Sequence, residues 1–289
     1  MRHHKLALCA PHYLEWFLAQ TERTITRYHM FEPEERILVA VSGGKDSLAL
    51  WDVLLRLGYP ADGLYINLGI DGEGEYSHRS LEKIEAFMAT RPEARLHVVD
   101  VAATYGATIP QVARRKLRGR GKPCAVCGLV KRHEMNRIAQ EHGYAVLATG
   151  HNLDDEVAVL LSNVLHWQVG YLARQAPVLE EREGLGRKVK PLCRFYERET
   201  AAYALIRGLD YIYDECPFAE GNLTNFYKEL LSRLETESPG AKMQFYLSFL
   251  QARKDGLFGQ AAQEVTLHPC PTCGQPTSVP GPCAFCRLW

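Results

Sequence analysis

The chain has 289 residues, 46 % of them hydrophobic and 24 % charged, and its 34 Lys and Arg are balanced by 34 Asp and Glu. This length suits one large domain with a smaller one and excludes a disordered or collagen-like chain. No apolar run reaches the roughly 18 residues of a membrane span, the stretch after Met1 is too short for a signal peptide, and with zero net charge any nucleic-acid affinity needs a local patch.

In chain order, Cys9-x-x-His12 comes first as half of a metal site, with His3 and His4 as candidates to complete it. Residues 13–29 show Leu14, Phe17, Leu18 and Ile25 at helical spacing. The apolar run Ile37–Val41 predicts a buried strand, and residues 47–55 predict a helix. Between them lies Ser42-Gly43-Gly44-Lys45-Asp46-Ser47. Residues 64–68 and 96–101 predict two more strands, with a helix over 80–89 between them. The run Arg114–Lys122 carries six cations and no anion, which is either a solvated loop or an RNA contact. A helix is predicted over 128–142, a strand over 145–149, a helix over 153–165 and a short fifth strand over 189–192. From Glu197 the pattern is helical, over 197–208, 222–237 and 240–254. The tail beyond 265 is rich in Pro and Cys. Strands alternating with helices predict an α/β fold with a Rossmann-like parallel sheet, a helical C-terminal part and small terminal metal modules. We divide the chain into 1–29, a catalytic domain over 30–215, a helical extension over 216–262 and a C-terminal ribbon over 263–289.

The stretch Ser42–Ser47 is the most specific signal. A strand, a Gly-Gly turn and a helix start together make an anion site, because close backbone N–H groups and the helix dipole both favour phosphate. Ser42 and Ser47 add hydroxyls, and Asp46 suits a magnesium ion on phosphate oxygens. The plain alternative is a strand-to-helix turn capped by Ser. Five fixed positions of this kind recur by chance in about one chain in a few thousand. Ligands in such folds sit beyond the carboxyl ends of the strands, which gathers Ser42–Ser47, Ile66 and Gly150-His151-Asn152 around one crevice.

The nine cysteines are odd in number, and six stand in C-x-x-C pairs. Without a secretion signal this predicts metal ligation in a reducing cytoplasm rather than disulfides. Cys270, Cys273, Cys283 and Cys286 form two knuckles suited to structural zinc. Cys124 and Cys127 stand apart from them, with Cys193 and Cys216 as candidate partners. Three thiolates there can hold a 4Fe–4S cluster and leave one iron open, can bind zinc with a fourth ligand, or can form a redox-active pair.

The Ser42–Ser47 motif resembles the PP-loop of the ATP pyrophosphatase superfamily (adenine nucleotide alpha hydrolase type). With residues 6–12, 39–47, 124–132, 148–156 and 215–217 and the terminal knuckles, the chain resembles tRNA 2-thiolation enzymes of the TtuA type over nearly its whole length. The resemblance implies that Cys124, Cys127 and Cys216 hold a 4Fe–4S cluster. It also implies that Ala40, Ser42, Gly43, Gly44, Lys45, Asp46, Ser47, Ile66, Lys131 and Gly150 surround ATP, with Mg2+, and that Lys131 and Asp155 are catalytic. Cys193 then becomes a core cysteine. The expected reaction adenylates the C2 oxygen of uridine or ribothymidine and then transfers sulfur, most specifically in the T loop. The partners implied are tRNA, a thiocarboxylated ubiquitin-like sulfur carrier and a second copy of the chain as a homodimer. This family carries a C-x-x-C before the equivalent of Cys9 that is missing here, and residues 71–74 look like a small insertion. The alternatives are thiolation of an anticodon-loop uridine or cytidine, an amide-forming PP-loop ligase with structural zinc only, and a non-catalytic RNA-binding zinc protein.

Overall fold

A central strand of five aliphatic residues, β1 (Ile37–Val41), is buried on both faces, as the uninterrupted apolar run requires of a strand inside a parallel sheet. The structure, a computed structural model, describes residues 4, 6–70, 75–115, 123–182, 184–219, 221–259 and 266–289. His3, the insertion at 71–74 and residues 116–122 of the basic run lie outside the described residues.

Around β1 stand β2 (Ala61–Asn67), β3 (Leu96–Asp100), β4 (Val146–Thr149), β5 (Val178–Leu179) and β6 (Arg187–Val189), in the order β3-β2-β1-β4-β6-β5. Only β5 runs antiparallel. The chain leaves β1 toward β2 and β3 and returns to its other side at β4, so the sheet opens a crevice between the carboxyl ends of β1 and β4.

The helices are α1 (Ala10–Arg27), α2 (Lys45–Arg56), α3 (Tyr76–Met88), α4 (Val101–Tyr105), α5 (Ile109–Arg115), α6 (Pro123–Glu141), α7 (Leu153–Leu165), α8 (Val169–Arg174), α9 (Glu197–Ile206), α10 (Leu223–Glu237) and α11 (Ala241–Lys254). Alternation along β1 sends Ile37, Val39 and Val41 into one core with α1, α2, α7, α9 and α11, and Leu38 into a second core with α5 and α6. In the first, Phe17 stacks on Phe195 and Tyr203 at 4.1 and 4.4 Å. The indole of Trp51 lies on Phe87 and leaves room only for Gly63, where an added Cβ would come within 2.5 Å of it. Cys193 is fully buried here, and burial pushes its thiol up to about 12.

Three sequence expectations shift. The strand expected over 189–192 lies at Arg187–Val189 (β6), before Pro191, which has no N–H to give a ladder, and residues 190–193 turn instead; β5 was not anticipated. The helix expected from Gly128 already starts at Pro123, a residue suited to the first helical position, so Cys124 and Cys127 lie on its first two turns. The short helices α4, α5 and α8 were not anticipated.

The tail folds as a hairpin, β7 (His268–Pro269) with β8 (Pro276–Thr277), and closes with a 3-10 turn at Cys286–Leu288. Phe285 and Leu288 join the second core. The ring of Phe285 stacks on His133 of α6 at 3.5 Å and 3°, and Trp289 stacks on Tyr105 at 4.9 Å. Gln275 donates to the carbonyl of His133 at 3.1 Å. The ribbon is thus clamped onto the helix that carries Cys124, Cys127 and Lys131.

Candidate active site

The loop after β1 is shaped by its two glycines in different ways. Gly43 has φ +77°, and an added Cβ would lie 2.7 Å from the Ser80 carbonyl oxygen, so the loop presses against α3 only because no side chain intervenes. Gly44 is the extended N-cap of α2, where a Cβ would meet only the Ser42 hydroxyl, at 3.4 Å; this side stays open to a ligand. No side chain caps α2, so its first N–H groups remain available. The Ser47 hydroxyl accepts from the Ser42 N–H at 3.1 Å and donates to the Gly44 carbonyl at 2.9 Å, bracing the turn. Gly150, after β4, touches the other side of the same turn: a Cβ there would stand 2.8 Å from the Asp46 carbonyl.

Between these loops lies a cleft of about 310 Å³. Ala40, Ser42, Asp46, Ser47, Ile66, Lys131, Gly150 and Asp155, all named as site candidates from the sequence, line it. Its far wall is apolar, with Leu64, Leu68, Ile70 and Met135. Gly43 and Gly44 form the turn at its edge, and Lys45 points away from it, donating to Glu197 Oε1 at 2.7 Å and Asp46 Oδ2 at 3.0 Å. Lys131 enters the cleft from α6 and has no carboxylate partner among the described residues.

Asp46 is held from several sides. Besides Lys45, Asn152 donates to its Oδ1 at 3.3 Å and the Thr200 hydroxyl bonds the same oxygen. Burial raises its carboxyl above the ordinary value, with Lys45 and Thr200 opposing. Asp155 sits at N3 of α7 in a capping box: its Oδ2 accepts the Asn152 N–H at 3.0 Å while the Asn152 side chain accepts the Asp155 N–H. The other oxygen, Oδ1, pairs with Lys228 of α10 at 2.5 Å, and Lys228 also reaches Glu197 Oε2 at 3.2 Å. Burial opposes the charge on Lys228, but Asp155 and Glu197 prevail and raise its pKa. Burial likewise opposes the Glu197 carboxylate, which Lys228 and Lys45 hold below the usual range. Glu197, Thr200 and Lys228 did not stand out in the sequence.

The three cysteines expected to act together converge beside the cleft. The Cys124 thiol donates to the Phe218 carbonyl at 3.4 Å, which brings the loop bearing Cys216 against the start of α6. Burial pushes the Cys127 thiol up, Lys131 draws it down, and Cys216 and Cys124 are close enough to add to the rise. Tyr76, which lines the cleft, feels both Cys216 and Cys127. Among the described residues, the metal-ligating group with all donor atoms within 4.8 Å of one another is Cys270, Cys273, Cys283 and Cys286. Cys124, Cys127 and Cys216 therefore gather without meeting around a single point. Three thiolates are the donor set of a 4Fe–4S cluster with one iron left open, and one fewer than a four-cysteine zinc site takes.

The ribbon thiols do meet around one point. Cys270 and Cys286 are 3.9 Å apart and Cys273 and Cys283 3.8 Å apart, and the N–H groups of Cys283 and Cys286 aim at sulfurs. Four thiols so arranged fit tetrahedral zinc. At the N-terminus Cys9 and His12 also meet, at 3.0 Å, but His4 does not join them: its ring lies on Trp16 and its Nε2 is 3.0 Å from Glu199 Oε1.

A nucleotide-sized cleft at the β1–β4 switch point, floored by the Ser42–Ser47 turn, defines a nucleotide-binding enzyme fold of the PP-loop type. The same fold is seen in the U34-tRNA thiolase NcsA from Methanococcus maripaludis with its 4Fe–4S cluster, with a TM-score of 0.75, 22 % identity, and 88 % of this chain and 84 % of that one covered. No family model matches the chain. The tRNA-5-methyluridine(54) 2-sulfurtransferase of Thermus thermophilus is 52 % identical over 289 residues, covering 100 % of this chain and 87 % of that protein. The enzymes of the same name from Pyrococcus horikoshii and Thermotoga maritima are 43 % and 40 % identical, over 99 % and 100 % of this chain and 88 % and 91 % of theirs. The chain belongs to the tRNA-5-methyluridine(54) 2-sulfurtransferase family. This membership sets aside the amide-forming ligase and the non-catalytic zinc protein. Among the described residues no helix is long and apolar enough to cross a membrane.

Proposed function

We propose that the protein thiolates C2 of 5-methyluridine 54 in the T loop of tRNA, using ATP, in the cytoplasm. The observation that carries this reading is the convergence of Cys124, Cys127 and Cys216 on the cleft lined by the PP-loop, in a chain of this family.

ATP would occupy this cleft, with the Ser42–Ser47 turn holding its phosphates and the apolar wall of Leu64, Ile66 and Met135 available to its base. A magnesium ion would sit on Asp46 and Asp155 and neutralise phosphate charge there. The C2 oxygen of the uridine attacks the α phosphorus, the bond to the β phosphate breaks, and pyrophosphate leaves. Lys131, which lines the cleft without a carboxylate partner among the described residues, stabilises the charge that grows on the α phosphate. Sulfur then bonds to C2, the C2–O bond breaks, and AMP carries the oxygen away. A 4Fe–4S cluster held by Cys124, Cys127 and Cys216 would supply an iron with an open position for an exogenous ligand. Holding nucleotide, RNA and sulfur at one crevice removes much of the entropic barrier. A thiocarboxylated ubiquitin-like carrier supplies the sulfur: water adds to its thiocarboxylate carbon, the C–S bond breaks to leave a carboxylate, and the released hydrosulfide is the nucleophile at C2. The working unit is a homodimer.

The experiment is mass spectrometry of nucleosides from tRNA treated with anaerobically prepared protein. The wild type is expected to form 2-thioribothymidine only with ATP, and Cys216→Ala and Asp46→Ala to lose it. Thiolation by the Cys216→Ala protein at the wild-type rate would remove the role given to that cysteine. Product at an anticodon nucleotide instead would move the target.

A further inference from the structure

We infer that Lys228 is a positioning residue of the ATP site: α10 of the helical extension uses it to fix Asp155 and Glu197 beside the phosphate loop. The inference rests on the reading of Asp155 as a group that acts on MgATP.

The ion pairs form one continuous row. Asp46 meets Lys45 at 3.0 Å, Lys45 meets Glu197 at 2.7 Å, Glu197 meets Lys228 at 3.2 Å, and Lys228 meets Asp155 at 2.5 Å. Three carboxylates alternate with two lysines, and the row begins and ends on residues that line the cleft. Asp155 has one oxygen committed to the Asn152 N–H, so Lys228 on the other decides how the carboxylate is turned. Without it, Asp155 and Glu197 would face each other as like charges across a partly desolvated gap.

The setting separates this pair from an ordinary surface salt bridge. The Lys228 side chain is 23 % exposed and Asp155 25 % exposed, so solvent screens them weakly. Lys228 also lines a second cavity, of about 420 Å³, together with Glu197, Glu215, Asn225 and Cys216. It therefore stands in the wall between the nucleotide cleft and the cysteine side of the crevice. A residue there links the placement of α10, which packs its Tyr227 and Leu231 into the main core, to the phosphate loop through charge. Lys242, by contrast, binds Asp154 in the buried interior and serves the docking of α11.

The test uses the full chain, with MgATP affinity read by calorimetry and turnover read as pyrophosphate release when tRNA is added. Lys228→Met is expected to weaken MgATP binding about tenfold and to lower kcat by a similar factor, with Lys228→Arg recovering most of both. Lys228→Gln replaces the Met variant if the latter does not fold. Wild-type affinity and kcat in Lys228→Met, or an Arg variant no better than Met, would overturn the inference. A double-mutant cycle locates the effect. In an Asp155→Ala background the Lys228→Met change is expected to alter MgATP affinity by less than about twofold. Full additivity would mean that Lys228 acts elsewhere, and would overturn it too. If Asp155→Ala alone binds and turns over MgATP like the wild type, the reading of Asp155 fails instead, and that result is distinguishable.

Discussion

Gly43 and Gly150 show how little room the phosphate loop leaves. Both would place a Cβ within 2.8 Å of backbone, but only Gly43 has a positive φ; Gly150 is selected by contact alone, against the first turn of α2. Backbone contacts of this kind cannot rotate aside, so the loop must move. Gly150→Ala is therefore expected to shift the start of α2 away from β4 and to weaken MgATP binding at least about tenfold, while the melting temperature falls by only a few degrees. Calorimetry beside a thermal scan checks this; unchanged affinity would show that the cleft tolerates the displacement. The glycines of the PP-loop were legible as a turn because they are neighbours in sequence. The contact made by Gly150 was not, since Asp46 lies 104 positions earlier and nothing local marks the approach.

Among the elements, the ribbon and α6 depend on one another. The ribbon has little core of its own: its Phe285 and Trp289 lie on His133 and Tyr105, and its Leu288 joins the second core. Beneath them the fully buried Glu134 binds His133, Arg137 and Tyr105, which keeps α6 rigid where it carries Lys131 and the C-x-x-C pair. Burial opposes the Glu134 carboxylate, yet His133 and Arg137 hold its pKa below the usual range. A metal ion held by the four thiols of the ribbon would supply much of its folding free energy. Stripping the metal with a chelator is expected to release Trp289 from Tyr105, shift its fluorescence to the red and lower the melting temperature, with zinc restoring both. A Trp289→Phe protein is the control that should show no such shift. The knuckle spacing made this module readable in advance. Its docking on α6 was not readable, because aromatic residues in a short tail carry no period that names their partner. The same holds for Cys124 and Cys127, which the sequence placed ahead of a helix and the structure placed on it.

For the molecule as a whole, buried carboxylates set opposite trends with pH. Asp52 is 1 % exposed; burial would raise its carboxyl, but Arg207, Tyr203 and Arg91 hold it below its ordinary value. A depressed folded pKa contributes stability above the unfolded value of about 4, and that stability is lost as pH falls through the folded pKa. Glu199 behaves in reverse. Burial pushes it up to about 7 despite the Tyr196 N–H and Arg198, so the folded protein binds the proton more tightly than the unfolded chain. Its contribution is full below about 4.5 and is lost as pH rises toward 7. Urea denaturation is therefore expected to show stability falling on both sides of the mildly acidic range. Glu199→Gln should remove the loss between pH 5 and 7, worth up to about 3 kcal/mol, and leave the acid limb in place. An unchanged slope between pH 5 and 7 in that variant would assign the loss to another group.

The sequence by itself determined what depends on residues a few positions apart. The apolar run of β1, the Gly-Gly turn and the metal-ligand spacings each follow from local sterics and hydrogen bonding, and each was readable. With the resemblance these motifs carry, that was enough for the fold class and the cleft. Only the tertiary structure decided which distant charges meet. Glu197 and Lys228 belong to helices far along the chain from Asp46 and Asp155, and no periodicity marks them. They reach the phosphate loop because burying the apolar faces of α9 and α10 carries their charged ends to the cleft, where a desolvated charge must find a partner.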